Sequence, residues 1–327
     1  MLLMPNILVT GGAGYIGSHT VFELRKQGFT VFVADDLSKG HAPSVPADCL
    51  HVCSLFDRPQ LATLMRSERI DAVIHFAAFI AVGESVREPE KYFHNNTAGS
   101  ISLFAAMADA GVNKLVFSST AAVYGNPSQV PITETAAINA VNPYGESKVM
   151  VEKILDWLDS SRGVRSVRLR YFNACGANND AGLGERHDPE THLIPLILRA
   201  VRTGNPITLF GDDYPTPDGT CVRDYIHVED LASAHIAAVN YLIGGGATAA
   251  FNAGTGRGYS VREVVNAVET VTGKKVPYQM GPRRDGDPAQ LVADSSKLRQ
   301  TLAWQPRFNT IESIVESAWV FEMSNFA

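Results

Sequence analysis

Tyr144 and Lys148 are placed to do proton chemistry. They lie in Pro143-Tyr144-Gly145-Glu146-Ser147-Lys148-Val149-Met150-Val151-Glu152-Lys153. Asn142 can cap a helix there, and Pro143 suits its first turn. On that helix the tyrosine and the lysine are four apart and share a face. An ammonium beside a phenol favours the phenolate. A tyrosine so placed can act as a general base near neutral pH, which free tyrosine, with a pKa of about 10, cannot. The chain has ten tyrosines and nine lysines in 327 residues, so chance supplies roughly 0.3 Tyr-x-x-x-Lys pairs. This pair is the sole match, and its weight depends on what surrounds it.

The surrounding elements are those of a nucleotide-binding crevice. Asn6 to Thr10 reads as a short apolar strand, followed by Gly11-Gly12-Ala13-Gly14-Tyr15-Ile16-Gly17 and a helical pattern to Lys26. Thr30 to Ala34 is a second strand, ending at Asp35-Asp36. Glycines permit the tight turn and let backbone N–H groups approach a pyrophosphate at the helix N-terminus. An acid at the end of the second strand suits a ribose diol and repels a 2′-phosphate, so NAD is expected over NADP. Further strands follow at Asp71–Phe76, Lys114–Ser118 and Val167–Tyr171, with a mainly helical stretch from Pro89 to Ala110. Repeated βα units predict an α/β fold with a doubly wound parallel sheet. Its ligands bind beyond the carboxyl ends of the strands. Gly11 to Gly17, Asp35, Ala77-Ala78, Ser118 to Thr120 and Phe172-Asn173 should therefore converge.

After Asn173 the texture changes. Residues 176–190 are loop-like, and helices are expected at Thr191–Thr203, Glu229–Leu242, Ser260–Thr272 and Ile311–Met323. Short strands are expected at Ile207–Phe210, Arg223–Val228 and Ala250–Ala253, and Gly286-Asp287-Pro288 reads as a turn. This half is predicted to be a smaller α/β domain closing over the crevice. The division expected is 1–173 for the NAD-binding domain, with returning segments near 225–255, and 174–327 for the smaller domain.

Composition narrows the function. A net charge of −6 argues against a broad basic surface for nucleic acid or anionic membrane. Cys49, Cys53, Cys175 and Cys221 are too few for a disulfide framework and read as buried thiols in a reducing cytoplasm. No apolar run reaches membrane-spanning length, and the first five residues lack the basic region of a signal peptide. His187 and His192, with Asp188 and Glu190 between them, suit neither one helix face nor a zinc motif by spacing. Loop or substrate contacts are expected there, and no metal.

The ordered set of motifs resembles the sugar-nucleotide epimerases of the extended short-chain dehydrogenase/reductase family. It comprises Thr10 to His19, Val82-Gly83-Glu84-Ser85-Val86, Phe117 to Thr120, Val123-Tyr124-Gly125, Pro143 to Lys148, Arg170 to Asn173, Phe210 to Tyr214 and Val222 to Val228. The resemblance implies a Rossmann-like fold, a homodimer built from the helices near 93–110 and 144–160, and C4 inversion of a UDP-hexose through a transient 4-keto sugar. It implies that Tyr144 takes the proton from the sugar 4-hydroxyl and that Thr120 binds the same oxygen. Lys148 would contact the nicotinamide ribose and lower the Tyr144 pKa.

By the same resemblance Gly11, Gly14, Tyr15, Ile16, Gly17, Asp35, Asp36, Ser54, Leu55, Phe76, Ala77, Ala78, Asn95, Ser118 and Tyr171 join Tyr144 and Lys148 around NAD. Arg223 and Arg284 match diphosphate-binding positions, Asp287 a uridine-ribose contact, and Phe210, with Thr208, the segment beside uracil. Asn173, His192 and Leu193 match further substrate contacts. Four positions depart from the pattern. Ile80 stands where a cofactor-phosphate lysine occurs, Ser54 where an Asp meets the adenine, and His192 replaces an asparagine. Leu291 replaces a bulky tyrosine, which should open the hexose pocket to N-acetyl groups. A 4,6-dehydratase would need an acid after Thr120, where the chain has Ala121-Ala122. A net dehydrogenase releasing NADH, or a non-catalytic sugar-nucleotide binder, would share the fold and the glycine turn.

Overall fold

The structure, a computed structural model, describes residues 4–284 and 287–326. The start of the chain up to residue 3, and Gly286 of the expected turn, lie outside the described residues. Seven parallel strands form the large sheet, in the order Ala249–Ala253, Arg165–Tyr171, Lys114–Thr120, Ala72–His75, Asn6–Thr10, Thr30–Asp35, Leu50–Val52. The winding direction reverses between Asn6–Thr10 and Ala72–His75. A crevice opens at such a reversal, at the carboxyl ends of the two strands. Thr10 Oγ1 and His75 Nδ1 lie 2.7 Å apart, and His75 Nε2 is 2.9 Å from Ser100 Oγ. These bonds satisfy a buried imidazole and lock the two strands together.

The strands are buried on both faces and so read as continuous apolar runs. On one face the helices Tyr15–Lys26 and Val228–Ile243 bury Val21, Leu24, Leu231 and Val239 against Ile7, Val9 and Ile74. On the other, Arg58–Ser67, Gly99–Ala110 and Pro143–Arg162 contribute Leu61, Met65, Leu103, Met107, Val151 and Leu155. Each such side chain contributes about 1.5–3 kcal/mol of transfer free energy.

A smaller sheet carries Val222–His227, flanked by Gly258–Ser260, Gln290–Leu291 and Asn173–Cys175. A two-stranded pair joins Ile207–Phe210 to Tyr278–Gly281. The helices Leu193–Thr203, Val261–Thr272 and Ile311–Phe326 bury a second core around Ile197, Val264 and Ile314. The chain returns to the large sheet through the helix Val228–Ile243 and the strand Ala249–Ala253.

Two local features refine the sequence reading. Leu50–Val52 is a strand, pairing in parallel with Val33 to Asp35. The stretch from Pro89 to Ala110 is not one helix. It runs as Pro89–Tyr92, a π-helical turn Phe93–Ala98, then Gly99–Ala110. The wider turn accompanies an inward-facing amide, Asn96. Asn96 accepts from Phe79 N (2.8 Å) and donates to Phe79 O and Ser147 Oγ. Such π-turns often accompany functional sites.

Candidate active site

Asn142 caps the helix Pro143–Arg162 through its side chain, which accepts from Gly145 N at 2.8 Å. The cap fixes where the helix starts and so where Tyr144 points. Ser147 Oγ donates to Tyr144 O (2.7 Å) and is itself held by Asn96. Tyr144 and Lys148 are both buried. Lys148 Nζ donates to Ser118 O at 2.9 Å and lies 4.9 Å from the centre of the Phe117 ring. Thr120 ends the strand Lys114–Thr120, opposite Tyr171, and its Oγ1 accepts from Ala122 N. Ser118 Oγ and Tyr171 OH are 2.5 Å apart.

Burial dominates the electrostatics of the Tyr144–Lys148 pair. Burial raises the Tyr144 pKa, and the Thr120 hydroxyl offsets part of the rise. The lysine is itself desolvated, which pushes it down to about 7, and the nearby Glu152 carboxylate pulls the other way.

Across the reversal point the glycine turn fits a dinucleotide. Gly11 has φ +70°, and a Cβ there would lie 2.5 Å from Ala77 N, so the two loops touch. Phe76 N and Ala77 N both donate to Thr10 O, and Ala78 follows them. The helix Tyr15–Lys26 starts at Gly14 without a side-chain cap. Its first N–H groups, from Tyr15 and Ile16 onward, can therefore serve an anion. Asp35 is buried, and its two oxygens accept from Ala13 N and Leu37 N, each at 2.9 Å. It thus ties the glycine turn to the second strand as well as facing the crevice end. Asp36 is exposed and accepts from Ser38. Ser54 Oγ accepts from Phe56 N, Leu55 packs beside Gly99, and Asn95 donates to Asn96 Oδ1. Ile80 is 40% exposed and offers no charge to a phosphate.

The expected substrate residues also meet. Arg284 Nε and Nη2 bind Asp287 Oδ2 at 3.0 and 2.9 Å, and Arg223 Nη2 is 3.8 Å from Asp287 Oδ1. The Arg284 guanidinium lies 5.3 Å from the Phe210 ring centre. Two arginines share one carboxylate, leaving a positive surplus suited to a diphosphate. Thr208 accepts from Gln279 (3.4 Å) on the strand pair that carries Phe210. Leu291 stands beside Arg223 in register and packs with Ala121 and Phe172. It therefore joins the arginine cluster to the strand end bearing Thr120. Asn173 pairs with Tyr225.

His187 and His192, apart by sequence spacing, come together in three dimensions. The loop brings one ligand atom each from Glu185, His187, Glu190 and His192 within 4.8 Å of one another. Glu185, missed in the sequence, is the hub. Its Oε1 lies 2.9 Å from His187 Nδ1 and bonds His192 Nδ1, just before the helix starting at Leu193. Glu190 Oε1 accepts from Thr191 N and His192 N. Two buried carboxylates against two imidazoles balance in charge with two protons. The ion pairs with Glu185 and Glu190 outweigh burial and hold His187 up at about 9. Tyr15 stacks edge-on against His187 and donates to Gly176 O (2.6 Å). The quartet thus braces the glycine-turn helix. A histidine raised in the folded state contributes stability in full below its unfolded pKa of about 6.5 and loses it as pH rises through about 9. His187→Gln should therefore lower the melting temperature at pH 6.5 and leave it nearly unchanged at pH 10. An equal loss at both pH values in thermal melts would refute the assignment.

Residues 7–254 match the model of the NAD dependent epimerase/dehydratase family, and the chain belongs to that family. Its relatives are narrower in kind. The UDP-glucose 4-epimerase of Lactobacillus helveticus is 49% identical over 321 residues, covering 98% of this chain and 97% of that one. The crystal structure of UDP-glucose 4-epimerase from Brucella ovis in complex with NAD superposes with a TM-score of 0.94 at 45% identity, over 97% and 98% of the two chains. The UDP-Glc/GlcNAc 4-epimerase from Campylobacter jejuni superposes at 0.85 with 40% identity, over 98% and 99%. The expected α/β fold with a parallel sheet is the one observed.

Proposed function

We propose that this protein interconverts UDP-glucose and UDP-galactose by inverting C4 of the hexose. The observation that carries the reading is the convergence of Tyr144, Lys148 and Thr120 at one strand end, with Leu291 linking that end to Arg223, Arg284 and Asp287. Gly11 to Gly17 and Asp35 would hold the phosphate and ribose end of NAD, and Ser118, Lys148 and Tyr171 would complete its site; once bound, it would supply hydride uptake from C4 of the sugar and its return. Tyr144 accepts the 4-hydroxyl proton and gives it back. Thr120 holds the same oxygen and keeps it beside the phenol. Lys148 becomes useful when its charge is favoured. Arg223 and Arg284 grip the diphosphate, so the nucleotide stays while the hexose turns over. The methyl groups of Ala121 and Ala122 can neither donate nor accept a proton, which disfavours elimination of water.

Incubating the purified protein with UDP-galactose, without added NAD, should yield UDP-glucose and no steady accumulation of NADH. Failure to convert it would overturn the reading, and stoichiometric NADH release would point to a dehydrogenase.

Leu291 favours a broader substrate range. Half-buried beside Arg223, it leaves more room than a tyrosine ring would. The protein should also turn over UDP-N-acetylgalactosamine. Leu291→Tyr should reduce that activity by at least about tenfold, a steric loss of about 1.4 kcal/mol, and largely spare UDP-galactose. Equal losses on both sugars would refute this role.

The same reading includes a homodimer and a cytoplasmic setting. Trp157 is 76% and Ile101 50% exposed, on the helices Pro143–Arg162 and Gly99–Ala110 that would pair with a second copy. All four cysteines are free and buried, as suits a reducing compartment. Among the described residues no helix is long and apolar enough to cross a membrane.

A further inference from the structure

Outside the proton path, the loop before the helix Leu193–Thr203 gathers a second cluster of chemically active side chains. Glu185, His187, Glu190 and His192 each offer one donor atom, and the four atoms all lie within 4.8 Å of one another. His187 Nδ1 is 2.9 Å from Glu185 Oε1 and 3.9 Å from Glu190 Oε1. His192 Nδ1 bonds the same Glu185 oxygen and is 3.8 Å from the same Glu190 oxygen. An imidazole N–H carries one proton and needs one acceptor. Here each Nδ1 faces both carboxylates, and each carboxylate oxygen faces both rings. Ion pairs do not require such convergence; a shared central charge does. Bonds of about 2.0–2.1 Å from zinc to nitrogen or oxygen place tetrahedral ligand atoms about 3.4 Å apart. The observed separations fall on both sides of that value.

The surroundings suit a cation. The Glu185 and Glu190 side chains are 5% and 1% exposed, so water does little to offset their charge. Glu190 Oε1 is steadied by Thr191 N and His192 N, at 2.7 and 2.9 Å, as a metal ligand is by its outer partners. Two carboxylates and two neutral imidazoles cancel a double positive charge. Two nitrogen and two oxygen donors favour zinc over magnesium or calcium, which take about six or more oxygens. Four protein ligands fill a tetrahedron and leave no position for a reacting water, which marks a structural site. The spacing that fits no helix face is no obstacle on a loop that doubles back. That loop also grips the cofactor lobe. Tyr15 OH donates to Gly176 O, Lys39 Nζ donates to Asp188 O at 2.9 Å, and His41 Nε2 lies 3.0 Å from Arg186 O. We propose that Glu185, His187, Glu190 and His192 form a structural site for a divalent cation of the zinc class, which pins the loop of residues 176–192 against the glycine-turn helix. With no cation bound, two protons supply the same charge, and the pH-dependent melts of His187→Gln apply to that metal-free form. The site does not depend on the epimerase reading.

Tag-free protein stripped with a chelator and then incubated with zinc should carry about one zinc per chain through gel filtration, read by atomic emission. Saturating zinc should raise its melting temperature by roughly 3–5 °C, and magnesium should leave it within about 1 °C. Outer partners alone change metal affinity by about 10–100-fold, so loss of a ligand should weaken zinc at least about 100-fold in His187→Gln and in Glu190→Gln, and abolish the melting shift. Cobalt(II) in the unaltered protein should show the strong visible bands of a tetrahedral site, which keeps the test open should the variants not fold. Zinc washed out of the unaltered protein, undiminished zinc in either folded variant, an equal melting shift with magnesium, or the weak bands of six-coordinate cobalt would each overturn the proposal.

Discussion

Tyr144→Phe should lower kcat on UDP-galactose by about 10³-fold or more and leave UDP affinity within about twofold, because proton transfer by a placed side chain contributes about 10²–10⁴. The substitution keeps the ring that fills a site only 8% exposed to solvent. It removes the one oxygen placed to accept a proton beside Thr120. The Asn142 cap and the Ser147 bond to the Tyr144 carbonyl involve no phenol, so the helix start should survive. Coupled-assay turnover, with calorimetric titration of UDP, separates the two effects. A variant within tenfold of normal turnover would remove Tyr144 from the proton path. A variant that also lost UDP affinity would make the phenol part of the nucleotide grip.

The second large effect divides two glycines that the motif treats alike. A Cβ on Gly17 would overlap the Gly11 carbonyl oxygen and press within 2.8 Å of Gly12 Cα, both backbone atoms that cannot swing aside. Gly17→Ala should therefore cost about 2–3 kcal/mol by overpacking and lower the melting temperature by roughly 4–8 °C. Gly14 is in extended backbone at φ −78°, ψ 177°, and its Cβ would meet only the Gly11 carbonyl oxygen at 3.3 Å. Gly14→Ala should keep its melting temperature within about 2 °C. A methyl group there would stand where a pyrophosphate approaches the first turn, weakening NAD by about 10–100-fold. Melting curves and NAD retained through gel filtration read the two outcomes. Equal destabilisation by both would show that Gly14 serves packing alone.

The same contrast shows why parts of the site were legible in the sequence. The glycine turn, Asp35 and the Tyr144–Lys148 pair are local patterns, and local backbone geometry places them. Thr120 was legible because a parallel sheet gathers its strand ends. Glu185 was not, since it meets His187 and His192 only once the loop doubles back. Asn96 and Ser147 are 51 residues apart in the chain and meet through a π-helical turn that no periodicity announces. The electrostatics around Tyr144 were only half legible. A four-residue spacing shows that a lysine is near, whereas its charge depends on how deeply the fold buries it. Leu50–Val52 was missed because three residues are too short for a period of two to register.

The returning strand Ala249–Ala253 bears on how the molecule is made. It pairs with Val167 to Tyr171, so the edge of the large sheet nearest the catalytic strand is completed by residues some eighty positions later. During synthesis the first 171 residues leave the ribosome with that edge unpaired and with the face later covered by the helix Val228–Ile243 still bare. Unpaired strand edges of this kind invite contact with other chains. Edge and face are both completed only once residue 253 has emerged, so a product cut between the two strands should be prone to aggregation.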